Sequence, residues 1–224
     1  MKIEARFVTS AASASDLPRD GLAEIGLVGR SNVGKSSLLN ALVRQKLART
    51  SGEPGKTRLA NVYRIARGSA SPIYLVDLPG YGYARRSRQD RQGQATVDPA
   101  FDEIAKAVFA RHPAALLLVD VRHPGLESDQ AAWQWIVAEA AGAAIVATKI
   151  DKLARGERIR AMRQLESVYE VPVLPVSAAT GEGMDELWNL IDKLANPAHR
   201  NSSSRPHPKR TARPAPSKVE GPKK

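Results

Sequence analysis

Two short strings in this sequence carry groups that can handle a nucleotide. Gly29–Ser36 reads G-R-S-N-V-G-K-S, the G-x-x-x-x-G-K-[ST] spacing whose backbone cradles phosphates. Gly29 and Gly34 permit close backbone approach, so N–H groups across Arg30, Ser31, Asn32 and Val33 can converge on phosphate oxygens. Lys35 should reach the β- and γ-phosphates, the Ser36 hydroxyl should bind Mg²⁺, and Ser37 extends the set into a helix. This loop does not tell ATP from GTP. Thr148-Lys149-Ile150-Asp151 does: a carboxylate at Asp151 accepts from the ring N–H and exocyclic amine of guanine. Adenine has neither donor on that edge and would leave the buried carboxylate unpaired, which discriminates strongly. Lys149 should lay its alkyl stem against the purine, and Val176-Ser177-Ala178 offers a backbone N–H to the guanine O6.

Asp77-Leu78-Pro79-Gly80 lies 41 residues after Ser36. Its carboxylate can hold Mg²⁺ through a water, and the Gly80 N–H can meet a γ-phosphate and lose it on hydrolysis. Thr57 sits beside Gly55 and Lys56 in the loop Ser51–Arg58, where its hydroxyl could complete the Mg²⁺ shell only while the γ-phosphate is present. Such a loop is a switch, ordered by ligand and released afterwards. Alone, D-x-P-G is a turn and Thr57 a polar loop residue; the phosphate loop gives them weight. The expected catalytic set is Lys35, Thr57 and Gly80, and the metal set Ser36, Thr57 and Asp77.

These groups need elements that position them. Short apolar runs alternate with amphipathic stretches, which predicts an α/β domain: a mostly parallel six-stranded sheet flanked by helices in the three-layer P-loop arrangement. Strands are predicted at Glu24–Gly29, Ala60–Ala66, Pro72–Asp77, Ala114–Asp120, Ala143–Lys149 and Val171–Ser177. Helices are predicted at Lys35–Lys46, Glu127–Ala141, Arg155–Tyr169 and Met184–Ala195. The motif loops all follow carboxyl ends of strands, where such sheets bind ligands. Ile3–Ala11 could add an edge strand or simply pack along the domain. The division expected is an N-terminal extension over 1–22, a nucleotide-binding domain over 23–196 and a tail over 197–224.

Composition narrows the classes. The chain has 224 residues, 42% hydrophobic and 25% charged, with no cysteine and a net charge of +11. Disulfides, thiolate metal sites and prenyl anchors are thereby excluded. No apolar run approaches the roughly 20 residues that span a bilayer. Met1-Lys2-Ile3-Glu4-Ala5-Arg6 lacks a secretory core, so the cytoplasm is the simplest reading, with a monomer expected. Eight of the 34 Lys and Arg but only Glu220 of the 23 acids fall in residues 197–224. That Ser-, Pro- and Arg-rich tail should be disordered, either a solvated appendage or a counterion-releasing arm for nucleic acid.

The longer strings around these motifs resemble one family. Gly29-Arg30-Ser31-Asn32-Val33-Gly34-Lys35-Ser36-Ser37-Leu38-Leu39-Asn40-Ala41-Leu42 and Asp77-Leu78-Pro79-Gly80-Tyr81-Gly82-Tyr83-Ala84 are similar to the EngB (YihA/YsxC) family of bacterial ribosome-biogenesis GTPases. Ala5-Arg6-Phe7-Val8, Pro54-Gly55-Lys56-Thr57, Asp120-Val121-Arg122-His123-Pro124 and Thr148-Lys149-Ile150-Asp151-Lys152-Leu153 add to the likeness, which spans residues 3–195. The resemblance implies a GTP-binding, slowly hydrolysing factor that assists assembly of the large ribosomal subunit. A role in normal cell division and septation, through growth control, is implied with it. Thr148 stands where guanine-binding loops generally carry asparagine, though threonine suits this family. Arg58 stands where the family carries glutamine.

Tyr81 occupies the place where many GTPases put a water-orienting glutamine. A phenol does that poorly, so intrinsic hydrolysis should be slow, with a partner or a monovalent cation supplying transition-state charge. Asn32 either ligates K⁺ there or only stabilises the turn. Arg85, Arg86, Arg88 and Arg91 follow closely, either as a solvated loop or as contacts to ribosomal RNA phosphates that respond to the nucleotide. Trp133 and Trp135, two apart on one helix, cannot share a face, so one should be core and the other partly exposed. Two competing readings stand: a nucleotide or metabolite kinase, for which Asp151 has no evident use, and a nucleotide-gated RNA-binding module in which hydrolysis is incidental.

Overall fold

A computed structural model describes residues 2–48, 59–81 and 103–196. In chain order the strands are β1 (Ile3–Ala11), β2 (Ala23–Gly29), β3 (Ala60–Arg67), β4 (Ile73–Asp77), β5 (Ala114–Asp120), β6 (Gly142–Thr148) and β7 (Val173–Pro175). The α-helices are α1 (Lys35–Val43), α2 (Glu103–Phe109), α3 (Glu127–Glu139), α4 (Arg155–Tyr169) and α5 (Met184–Ala195). One sheet holds all seven strands in the order β1-β3-β4-β2-β5-β6-β7. The pairs from β4 through β7 are parallel, whereas β1–β3 and β3–β4 are antiparallel.

The seventh strand is β1, so six strands is corrected to seven. Its apolar alternation is faint because an edge strand has little to bury: Ile3 and Ala5 are half-buried and Ala11 is fully so. Pairing with β3 shifts register between Phe7 and Thr9, a bulge that bends the edge. Exposed Phe7 meets the Tyr63 ring edge-on at 5.8 Å.

β5 reads A-A-L-L-L-V-D and is buried at every position, because helices cover both faces of the sheet. One apolar cluster, built on Leu117, Val28, Phe109 and Ile136, fills one face; a second, built on Leu116, Leu39, Leu187 and Trp188, fills the other. Helix α1 stops at Val43, short of the expected Lys46, because Arg44 turns left-handed at φ 57°. The Asn40 side chain then takes the N–H groups of Leu47 and Ala48 at 2.8 and 2.7 Å and donates to the Ala48 carbonyl.

Helix α2 was not anticipated: seven residues give too short a periodic signal, although Ile104, Ala105, Val108 and Phe109 are all buried. It also corrects the tryptophan expectation. Trp133 and Trp135 are both half-buried, since each finds an aromatic neighbour at the core margin. Trp135 lies 4.4 Å from the Phe109 ring and Trp133 6.3 Å from Tyr169.

Strand registers bring the functional termini to one edge. Leu27 is level with Asp77, Gly29 with Leu118, and Asp120 with Thr148. The four adjacent parallel strands β4, β2, β5 and β6 thus end together, which no local propensity specifies.

Candidate nucleotide site

The phosphate loop is held open by glycine at two points. A Cβ on Gly29 would lie 2.7 Å from Val33 Cγ1 and 2.9 Å from the Leu118 carbonyl, so a side chain there would push the loop off the sheet. Gly34, immediately before α1, has φ 110°, a region L-residues rarely enter. Asn32 is left-handed at φ 62°, which asparagine tolerates better than most. Lys35 folds back over the loop, its Nζ donating to the Gly29 carbonyl at 3.1 Å. Burial lowers its pKa, opposed by the charge of Asp77.

The Ser36 hydroxyl donates to Asp77 Oδ2 at 3.1 Å. Asp77 is buried, and its other oxygen, Oδ1, has no hydrogen-bond partner among the described residues. Burial raises the Asp77 pKa, while Lys35 and the Ser36 hydroxyl pull it down. A buried unused carboxylate oxygen beside a hydroxyl is an arrangement of hard oxygen donors, and Mg²⁺ fits it. Gly80 closes this end of the site. A Cβ there would fall 2.7 Å from both the Ser31 amide nitrogen and its Oγ.

The Thr148–Asp151 segment is fastened to the phosphate loop. Thr148, buried, places its hydroxyl 2.8 Å from the Val33 carbonyl and 3.1 Å from that of Val119. Lys149 is left-handed at φ 62° and its Nζ donates to the Asn32 carbonyl at 2.6 Å and to Asp120 Oδ2 at 2.9 Å. Asp151 Oδ1 accepts from the Ser177 hydroxyl at 2.6 Å, and its Oδ2 lies 3.2 Å from Lys152 Nζ. The Ser177 bond, more than any other cause, lowers the Asp151 pKa. Ser177 Oγ in turn accepts from the N–H groups of Ala179 and Thr180, both at 3.2 Å, which fixes the hydroxyl for donation to Asp151.

Gly29 through Ser37, Asp77 through Gly80, Thr148 through Asp151 and Val176 through Ala178 are therefore gathered at one edge of the sheet. Leu78, Ile150 and Val176 turn their side chains into the core, each at most 1% exposed, leaving backbone groups for any ligand. Gly55, Lys56 and Thr57, the arginines 85, 86, 88 and 91, and the tail lie outside the described residues.

Two buried acids lie beside the site without belonging to the expected set. Asp120 ends β5 and receives a fork from Arg122, Nε to Oδ1 at 2.9 Å and Nη2 to Oδ2 at 2.6 Å, together with Lys149. Burial works to raise its pKa, but Arg122 and Lys149 outweigh that and hold it far below the usual range. Asp129, in the first turn of α3, is 1% exposed. A lone acid closing the apolar run Ala114–Val119 was the signal for Asp120; Asp129 had none, as acids are ordinary in a helix's first turn.

Residues 24–167 match a family described as 50S ribosome-binding GTPase. A Heliobacterium modesticaldum protein, described as a probable GTP-binding protein EngB, is 43% identical over 202 residues, covering 88% of this chain and 95% of that one. Its Geobacillus kaustophilus counterpart, described in the same words, is 39% identical across 84% of this chain and 95% of its own. Among solved structures, Aquifex aeolicus Era bound to GDP·AlF₄⁻ superposes with a TM-score of 0.64 at 25% identity, over 87% of this chain and 62% of Era. A probable GTP-binding protein EngB superposes at 0.54 over 77% of this chain and 98% of its own, with 23% identity, and shows the fold alone. The chain belongs to the EngB family of GTP-binding proteins and is a GTPase.

Proposed function

We propose that the gathered edge is the GTP site and that its occupancy drives a switch assisting assembly of the large ribosomal subunit. The observation that supports this best is the pair of cross-links from Thr148 and Lys149 to the phosphate-loop carbonyls of Val33 and Asn32. They make base reading and phosphate holding one rigid unit. In this reading Asp151 reads guanine, the Ala178 N–H faces O6, the loop from Gly29 to Ser37 cradles the phosphates, and Gly80 contacts the γ-phosphate. Gly55, Lys56 and Thr57 complete the site from the first switch. Residues 23–196 then constitute the GTP-binding domain, residues 1–22 an extension and 197–224 a basic tail.

Ser36, Asp77 and Thr57 would hold Mg²⁺, which when bound neutralises charge on the β- and γ-phosphate oxygens. Lys35 spreads further positive charge over the same oxygens, and its partial burial strengthens that field. Tyr81 donates its hydroxyl to Asp129, which supports slow intrinsic turnover assisted by a partner or by K⁺ at Asn32.

The ribosomal reading rests on the family's description as 50S ribosome-binding and on Era, a structural neighbour at 26% identity solved with MgGDPNP and 16S ribosomal RNA. Normal division and septation would depend on the supply of large subunits. The work is cytoplasmic and monomeric in this reading; among the described residues no helix is long and apolar enough to cross a membrane. The test is co-sedimentation with large subunits and their precursors in GTP-analogue, GDP and nucleotide-free states. Binding that favours the GTP analogue is expected; equal binding in all three removes the switch.

A further inference from the structure

The buried carboxylate of Asp129 has no part in any role above. Tyr81 donates its hydroxyl to Asp129 Oδ1 across 2.8 Å. Arg30 Nε approaches the same oxygen at 3.2 Å but off the line a hydrogen bond needs, so that contact is ionic. Arg30 belongs to the phosphate loop and Tyr81 follows Gly80 directly. The two residues are also joined by a parallel backbone bridge. One α3 carboxylate therefore grips both sides of the seam between the phosphate loop and the D-L-P-G turn. At that seam Gly80 lies against Ser31 with no room for a Cβ.

A charge at 1% exposure is expensive to bury, and an apolar residue would fill the same space without the desolvation cost. What the carboxylate adds is fixed placement: it accepts from one direction and attracts from another, so Tyr81 and Arg30 cannot slide apart independently. Tyr81 is itself 3% exposed and belongs to the apolar core cluster, which makes the anchorage stiff.

We propose that Asp129 is a positioning residue which, through Tyr81 and Arg30, sets how Gly80 meets the terminal phosphate and thereby sets the discrimination between GTP and GDP. The proposal rests on the reading of Gly80 as the γ-phosphate contact. GDP places no atom there, so slackening the latch leaves GDP binding alone and weakens only the triphosphate. A merely structural role would weaken both nucleotides together.

The experiment uses the full chain with Tyr81→Phe, Asp129→Asn and the double variant. Fluorescent GDP and a non-hydrolysable GTP analogue are titrated with Mg²⁺ present, and melting temperatures are recorded alongside. Tyr81→Phe loses one oxygen and keeps the ring, so it folds even where Asp129→Asn does not. The expected result for Tyr81→Phe is an analogue-to-GDP affinity ratio lower by about five- to tenfold, with GDP affinity within about twofold of the parent. The double variant should be no worse than the more severe single one, since both cut the same latch. An unchanged ratio, or equal losses for both nucleotides, overturns the proposal. Gly80→Ala separates the two layers. No effect of Gly80→Ala on analogue binding removes the γ-phosphate reading, whereas a Gly80 effect without a Tyr81 effect removes the latch alone.

Discussion

The Ser177 hydroxyl donates to Asp151 Oδ1 across 2.6 Å, and that hydroxyl is itself steered by the N–H groups of Ala179 and Thr180. The carboxylate proposed to read guanine is thus aimed by the loop that follows β7. Replacing Ser177 with alanine should free Asp151 to rotate and let its pKa return toward the ordinary carboxylate value. Affinity for GDP should fall about tenfold, the worth of one charge-assisted hydrogen bond, as read by calorimetry. Asp151→Ala should go further and abolish the preference for guanosine over inosine nucleotides, which lack the exocyclic amine. Retained preference in that variant would mean that another group reads the base.

Thr148 should behave as a tie rather than a base contact. Thr148→Val keeps the shape and removes the hydroxyl placed between the Val33 and Val119 carbonyls. The expected loss is about 1–2 kcal/mol of stability, or roughly 2–8 °C in melting temperature. Nucleotide affinity should drop with it, because the phosphate loop loses its tether to the end of β6. A variant that melts like the parent and binds GDP unchanged would show the tie to be idle.

Gly80→Ala tests a close approach between two backbone segments of the site. The new methyl would meet the Ser31 amide and hydroxyl at 2.7 Å, so either the loop or the turn must shift. Overpacking of this kind costs about 1–3 kcal/mol, which predicts a loss of about tenfold or more in affinity for a GTP analogue. GDP binding should suffer less. Titration of both nucleotides decides it, and an equal loss would place the damage in the diphosphate pocket instead.

Acid should expose the Asp120 cluster. Arg122 and Lys149 hold this carboxyl well below its unfolded value of 3.8, against the opposing effect of burial. The unfolded chain therefore takes up the proton first. Ionised Asp120 stabilises the fold fully above about pH 4, and that contribution is lost as the pH falls toward the depressed native value. Arg122→Ala shrinks the depression, so the gap in melting temperature between parent and variant should be widest at pH 7 and narrow below about pH 4. Thermal melts across that range would show a constant gap if Arg122 contributed packing alone.

The sequence by itself determined the chemistry that is local. Gly29 to Ser36 needs one strand, one turn and one helix start, and its residue types already demand φ values and close approaches that little but a phosphate loop uses. Five continuous or alternating apolar runs likewise announced the buried parallel strands, since helices on both faces leave no polar face to show. Long-range registration was decided only by the tertiary structure. Level pairing of Leu27 with Asp77 and of Asp120 with Thr148 puts four separate chain segments at one edge, and no single segment encodes that alignment. The edge strand β1 was undecided for the same reason: its partner β3 lies some fifty residues away and its own pattern is weak. Asp129 became visible only when folding stripped its water, because a carboxylate gains a specific partner's grip only where the solvent no longer competes.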